Sequence, residues 1–125
     1  MVICDTSFLY AFFNKYDFHH KEALEFAKQY SDENLFAPVE VIQELLTTLT
    51  RKSLSEHAIT VVESIFDSEA ITIINSNELA FDKSWNTFKK LSPHKFSFVD
   101  CLLISLAKDS EGTILTFDKE LLKAI

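Results

Sequence analysis

Three aspartates in this sequence stand beside apolar segments, where an acidic residue is unusual. Asp5 directly follows the apolar run Val2–Cys4, and Asp118 follows the apolar segment 113–116. Asp100 lies on a predicted helix whose neighbouring positions on the same side are apolar, so its side chain faces away from water. Carboxylates gathered in one place repel one another and favour a divalent cation, so these acids are compatible with a metal-dependent enzyme that acts on phosphates.

Each of these acids also has a purely structural explanation. Asp5 and Asp118 suit the N-cap of the helix that follows each of them. Ser97 and Asp100 match the capping-box pattern S-x-x-[DE]. The two roles can coexist, and three such acids in one chain are less easily explained by capping than any single one. The right-handed crossover rule places the two strand ends on one edge of a sheet, where the acids can converge.

The apolar periodicity predicts strands alternating with helices. Short apolar runs at 2–4, 35–37, 70–74 and 113–116 indicate strands, and 3.6-residue patterns indicate helices beginning near residues 6, 19, 39, 55, 77, 97 and 119. This alternation predicts a single α/β domain over residues 1–125, with a short, mostly parallel central sheet flanked by helices on both faces. Gly112, the only glycine, is expected to take the left-handed position that ends the sixth helix.

Composition excludes several classes of protein. The 19 acidic residues against 12 Lys and Arg give a net charge of −7, which argues against broad, non-specific attraction to nucleic acid. No uncharged apolar stretch is long enough to span a membrane and the N-terminus is unlike a signal peptide, so we expect a soluble cytoplasmic protein. Cys4 and Cys101 are too few for a disulfide framework and are predicted to be buried free thiols.

Taken together, the motifs resemble the PIN-domain family and, within it, the compact VapC-like toxins of toxin–antitoxin pairs. Ile-Cys-Asp-Thr-Ser-Phe-Leu at 3–9 is similar to the family's first acidic motif, and Val-Ile-Gln-Glu-Leu-Leu at 41–46 to its second. The segments at 97–104 and 114–118 are similar to the third and fourth, and 17–23 resembles the linker before the second helix. The likeness spans nearly the whole chain.

The resemblance implies a metal-dependent ribonuclease in which Asp5, Glu44, Asp100 and Asp118 hold one or two Mg²⁺ or Mn²⁺ ions. Water then attacks the phosphorus, leaving a 5′-phosphate and a 3′-hydroxyl. Glu44 joins this set by resemblance alone, because its position on the helical wheel predicts a solvated glutamate. Thr6 and Thr116 flank the acids and are candidates to orient them. Candidate contacts to RNA phosphates are Lys15, Arg51, Lys52, Lys89, Lys90 and Lys95.

Other interpretations of the sequence stay open at this point. A PIN-like module that binds RNA or protein without cutting is the main alternative. The aromatic residues Phe12 and Phe13 suit either core packing or a surface for a homodimer or an antitoxin helix. A phosphoaspartate enzyme of the haloacid-dehalogenase type needs a second Asp two residues after the first, and Ser7 stands there.

Overall fold

A four-stranded sheet forms the centre of the protein, in a computed structural model that describes residues 1–91 and 96–125. The strands within these residues are β1 (Val2–Cys4), β2 (Leu35–Pro38), β3 (Ile71–Ile74) and β4 (Thr113–Leu115). The helices are α1 (Thr6–Phe13), α2 (His20–Gln29), α3 (Val39–Arg51), α4 (Ser55–Asp67), α5 (Glu78–Leu91), α6 (Phe98–Ser110) and α7 (Lys119–Lys123).

All neighbouring strands of the sheet run parallel, in the order β3-β2-β1-β4. β1 is central, with Ile3 opposite Phe36 on one side and Ile114 on the other. Its three residues are at most 3% exposed, and successive side chains on a strand point to opposite faces, so both faces of the sheet are covered. The predicted α/β domain with a parallel sheet is confirmed.

The core is built from the apolar stripes of the helices packed onto this sheet. Phe8 and Leu9 of α1, Leu45 of α3 and Leu103 of α6 are all at most 1% exposed. Cys4 and Cys101 are buried and free, as predicted. Among the described residues, no helix combines the length and apolar character that crossing a bilayer requires.

The expectation for Gly112 is wrong in one respect. Glu111, with φ of 50°, takes the left-handed position at the end of α6, and Gly112 has no positive φ. A Cβ at Gly112 would come within 2.5 Å of the Met1 carbonyl oxygen. Glycine is therefore needed here for a close approach of the backbone, where Thr113 N donates to Met1 O at 2.9 Å and opens the β1–β4 pairing.

Candidate active site

The four predicted acids line one open cleft of about 520 Å³ at the carboxyl edge of the sheet. Parallel strands end at this edge, so the segment after β1 and the loop after β4 meet there, with α3 and α6 on the adjoining sides. We call this space the acid cleft. The residues that line it are Asp5, Thr6, Ser7, Tyr10, Asp17, His19, Glu44, Thr48, Lys52, Ser97, Asp100 and Asp118.

Asp5 lies at the floor of the acid cleft, between β1 and α1, and is only 5% exposed. Its Oδ1 accepts from Thr6 N at 2.7 Å, which caps α1. Its Oδ2 accepts from Ser7 Oγ at 2.9 Å and from Thr116 Oγ1 at 2.6 Å. Three donors occupy most of the roughly four acceptor positions of a carboxylate, so the group is fixed and keeps one free position on Oδ1 among the described residues.

The loop after β4 is tied to this floor by the same hydroxyls. Phe117 N donates to Ser7 Oγ at 3.0 Å, and Asp118 N donates to Thr116 Oγ1 at 3.0 Å. Asp118 Oδ1 accepts from the amides of the first turn of α7 at 3.0 and 3.3 Å, so it is the predicted N-cap as well as a wall of the acid cleft. Its side chain is exposed, unlike that of Asp5.

Asp100 combines both roles that the sequence left open. Asp100 N donates to Ser97 Oγ at 3.1 Å and Asp100 Oδ2 accepts from Ser97 N at 3.0 Å, which completes the capping box of α6. The half-buried carboxylate also faces the acid cleft. Burial raises the pKa of Asp100, the bonds from Ser97 lower it, and the negative charges of Asp5 and Asp118 raise it further.

Glu44 is half-buried in the wall of the cleft, whereas its place on the helical wheel predicts solvation. α3 packs against α1, and the Glu44 side chain lies near the hydroxyl of Thr6 in α1. Burial raises the pKa of Glu44, and the charges of Asp5 and Asp100 act in the same direction. The nearby Thr6 hydroxyl lowers this pKa by stabilising the charged form. Oγ1 of Thr6 is buried and has no hydrogen-bond partner in the described part of the chain.

The chemistry of this donor set suits a hard divalent cation. Five carboxylates line the cleft, and Lys52 is the single Lys or Arg side chain among the described lining residues. Oxygen ligands and clustered negative charge are what Mg²⁺ and Mn²⁺ prefer. Within residues 1–91 and 96–125, however, no three Asp, Glu, His or Cys side chains stand close enough to enclose a metal ion. The cleft therefore has the ligand types for a cation without a closed cage.

The candidate phosphate contacts are spread more widely than the acids. Lys52 lies over the Tyr10 ring, with Nζ 4.6 Å from its centroid and 3.3 Å from its hydroxyl. Lys15, Lys89 and Lys90 border other cavities, and Arg51 is exposed at the end of α3 outside the cleft lining. Lys95 lies outside the described residues. Of the described candidates, the structure brings Lys52 to the acids.

Among the lining residues that the sequence does not single out for the site, Ser7 and His19 make the most informative contacts. Ser7 joins Asp5 to the backbone after β4, a contact between residues 110 positions apart that no local pattern reveals. His19 belongs to no ligand spacing in the sequence, yet it lines the acid cleft with its ring flat on Phe117, at 4.4 Å between centroids and an interplanar angle of 6°. The resemblance of 17–23 to a family linker was the one signal that pointed to this segment.

This chain matches a family model, and its fold is similar to those of solved structures. The family model of the PIN domain matches residues 2–125. VapC20 of Mycobacterium tuberculosis, described as a toxin that cleaves the sarcin–ricin loop, is 18% identical, with 99% of this chain and 95% of that one covered and a TM-score of 0.83. PAE2754 from Pyrobaculum aerophilum is also 18% identical, over 98% and 83% of the two chains, with a TM-score of 0.67.

These two structures, at such low identity, establish the likeness of the fold alone. None of the curated proteins matches the chain. The family model nevertheless spans almost every residue, including all four acids of the cleft. The chain belongs to the PIN-domain family.

Proposed function

We propose that this PIN domain is a divalent-metal-dependent endoribonuclease that acts in the cytoplasm as the toxin of a toxin–antitoxin pair. One observation carries the proposal: Asp5, Glu44, Asp100 and Asp118 come from four separate places in the chain and line one cleft. Helix capping explains why three of them occur where they do, but it does not explain why all four converge. The likeness in fold to a protein described as a toxin that cleaves the sarcin–ricin loop supports the choice of an RNA substrate.

Asp5, Glu44, Asp100 and Asp118 are the residues that would hold Mg²⁺ or Mn²⁺. The cation supplies Lewis-acid stabilisation of the charge that develops on the phosphate and promotes ionisation of water. Asp5 offers a free acceptor position on Oδ1, and Ser7 and Thr116 keep its carboxylate in place. The cleft is open and Asp118 is exposed, so some of these residues would hold the cation through water molecules. Mg²⁺ in proteins commonly retains several of its waters.

Two further residues of the cleft position an acid and contact the substrate. Ser97 orients Asp100 through the capping box. Lys52, held against Tyr10, provides a positive charge for a non-bridging phosphate oxygen. Hydrolysis by this arrangement gives a 5′-phosphate and a 3′-hydroxyl.

A toxin of this kind has an antitoxin partner, and we also propose a homodimer. The apolar helix α1 supports a protein contact. Phe12 and Phe13 are half-buried against the core and each other, with centroids 4.9 Å apart, and their exposed portions adjoin a small cavity of about 180 Å³. Measurement of the molecular mass in solution tests the homodimer, and co-purification tests the antitoxin.

The experiment is an RNA cleavage assay with total cellular RNA. The proposal predicts cutting in Mn²⁺ or Mg²⁺, none in EDTA, and loss of cutting in Asp100→Asn. Asn preserves the capping acceptor, so that variant keeps its fold. Cleavage that persists in EDTA, or at the wild-type rate in Asp100→Asn, would contradict the assignment. Binding of RNA without any cleavage in metal would favour the non-catalytic module instead.

A further inference from the structure

The segment 14–19, which contributes part of the rim of the acid cleft, carries two unusually exposed aromatic rings. In the segment between α1 and α2, Asp17 and His19 line the cleft. The alternate residues Tyr16 and Phe18 point outward and are 85% and 89% exposed. A phenyl ring stabilises a fold by being buried, so at this exposure Phe18 contributes almost nothing to folding.

The segment that carries Phe18 is fixed by hydrogen bonds. Tyr16 N donates to Asn14 Oδ1 at 3.1 Å, and Asp17 N donates to Asn14 O at 3.0 Å. His19 N donates to Asp17 Oδ2 at 2.9 Å. The exposed rings therefore stand on an ordered turn, and little conformational entropy would be lost when a ligand binds them.

A continuous aromatic stack connects Phe18 with the acids. Phe18 meets His19 edge to face, with centroids 5.0 Å apart at 89°. His19 lies flat on Phe117, and Phe117 packs on Phe26 at 5.6 Å. Phe117 directly precedes Asp118, so the stack leads from an acid of the cleft to the exposed ring of Phe18.

The charges around the cleft make such a surface useful for an RNA ligand. The chain carries a net charge of −7, and five carboxylates line the cleft itself. RNA phosphates are repelled by this field wherever a cation does not offset it. Stacking of bases on aromatic rings gives affinity that does not depend on phosphate charge and tolerates any base.

We propose that Phe18 is a stacking platform for an unpaired nucleobase of RNA, next to the phosphate that enters the acid cleft. The position of the phosphate rests on the proposed nuclease function, but the stacking contact does not. The RNA must be single-stranded at this point, because a paired base keeps both of its faces inside the helix. Tyr16, two positions earlier, lines a separate cavity with Lys15, whose Nζ lies 5.1 Å from its ring centroid, so the proposal rests on Phe18 alone.

The test measures binding of a short, fluorescein-labelled, single-stranded RNA of mixed sequence by anisotropy. All variants share the Asp5→Asn background, so that cleavage does not interfere. Phe18→Ala is expected to weaken binding about tenfold or more, and Phe18→Trp to bind as well as the parent. Phe18→Leu is expected to behave like Ala, since it keeps apolar area but has no ring face. Phe66→Ala, which removes a 65% exposed ring of α4 outside the cleft lining, is the matched control and is expected to bind normally.

Two further conditions sharpen the result. The ratio between parent and Phe18→Ala is expected to stay constant as KCl is raised, because stacking releases no counterions. The same RNA annealed to its complement is expected to show no effect of Phe18→Ala. Unchanged RNA binding in Phe18→Ala would overturn the platform and leave the ring for a protein partner. Equal losses in Phe66→Ala, or on the duplex, would overturn it as well.

Failure of the platform and failure of the nuclease are distinguishable. If the protein with Asp5 intact cuts no RNA in any metal while binding still depends on Phe18, the nuclease proposal fails and the platform stands. If it cuts RNA and Phe18→Ala changes neither binding nor KM, the platform fails and the nuclease stands.

Discussion

The floor and the rim of the acid cleft are built in opposite ways. At the floor, Asp5 is 5% exposed, its Oδ1 accepts from Thr6, and its Oδ2 accepts from Ser7 and Thr116. At the rim, the rings of Tyr16 and Phe18 stand free of the core. A fixed, buried acid suits a reacting centre that must keep its geometry, and exposed rings suit recognition of a flexible ligand. Changes at the floor should therefore remove activity, and changes at the rim should alter only binding.

The largest effect is expected when the acid at the floor of the cleft is changed, and an acid at its rim serves as the comparison. Asp5→Asn should lower kcat/KM for RNA on the order of a thousandfold, because a bound metal contributes several kcal/mol to the transition state. Asp17→Asn, at the rim, keeps its acceptor for His19 N and should change the rate by less than about tenfold. Circular dichroism checks that both variants fold. Similar losses in the two variants would erase the distinction between floor and rim.

A smaller loss is expected when the hydroxyl that joins Asp5 to the loop after β4 is removed. Thr116→Ala deletes the 2.6 Å bond to Asp5 Oδ2 together with the acceptor of Asp118 N, and should lower activity or Mn²⁺ affinity about 10- to 100-fold. Thr116→Ser should retain most of both. Thr60→Ala, which removes a hydroxyl that donates to a helix carbonyl on the exposed face of α4, is the control. The half-saturating Mn²⁺ concentration is the measurement, and an unchanged value in Thr116→Ala would show that Asp5 needs no such support.

The clustered charges should also affect stability without metal. Burial and neighbouring acids raise the pKa of Asp100, so neutralising this side chain should raise the Tm of the metal-free protein by about 1–3 °C at neutral pH. A carboxyl group whose pKa is raised in the folded state favours folding most at a pH below its ordinary pKa, near 4. This contribution to the free energy of unfolding is lost as the pH rises through the pKa of the folded state. The advantage of Asp100→Asn should therefore vanish near pH 4. An advantage that is independent of pH would point to packing instead of charge.

The smallest effect is expected for Cys4, the buried residue of β1 that directly precedes Asp5. Burial raises the pKa of Cys4 to about 12, and the adjacent Asp5 charge acts in the same direction. A thiol in this state is a poor nucleophile, so Cys4 should not react with a thiol reagent in the native protein and should react once guanidinium unfolds it. Reaction of Cys4 at native conditions would mean that the floor opens readily, contrary to its hydrogen bonding.

The sequence predicted most of the fold because its signals are local. The apolar run 2–4 and the 3.6-residue stripes define the strands and helices, and their alternation defines the parallel sheet. The prediction for the end of α6 is wrong because Glu111 itself takes the left-handed conformation there, whereas Gly112 is needed for contact with Met1. That contact is made across the sheet and leaves no trace in the local pattern.

The site was predictable to the extent that capping and burial are local. Asp5, Asp100 and Asp118 were identified from their neighbours in sequence, and Glu44 came only from the resemblance. The wheel assigned Glu44 to water because it contains no information on which helix covers that flank. Ser7 was missed for the same reason, since its contact with the β4–α7 loop depends on the folded chain.

The most direct test of the central claim is a calorimetric titration of the metal-free protein with Mn²⁺. We expect saturable binding to the wild-type chain, strong weakening in both Asp5→Asn and Asp100→Asn, and binding close to that of wild type in Asp17→Asn. Absence of saturable Mn²⁺ binding in the wild type, or equal binding in all four proteins, would contradict the claim that these acids act together as one cation site.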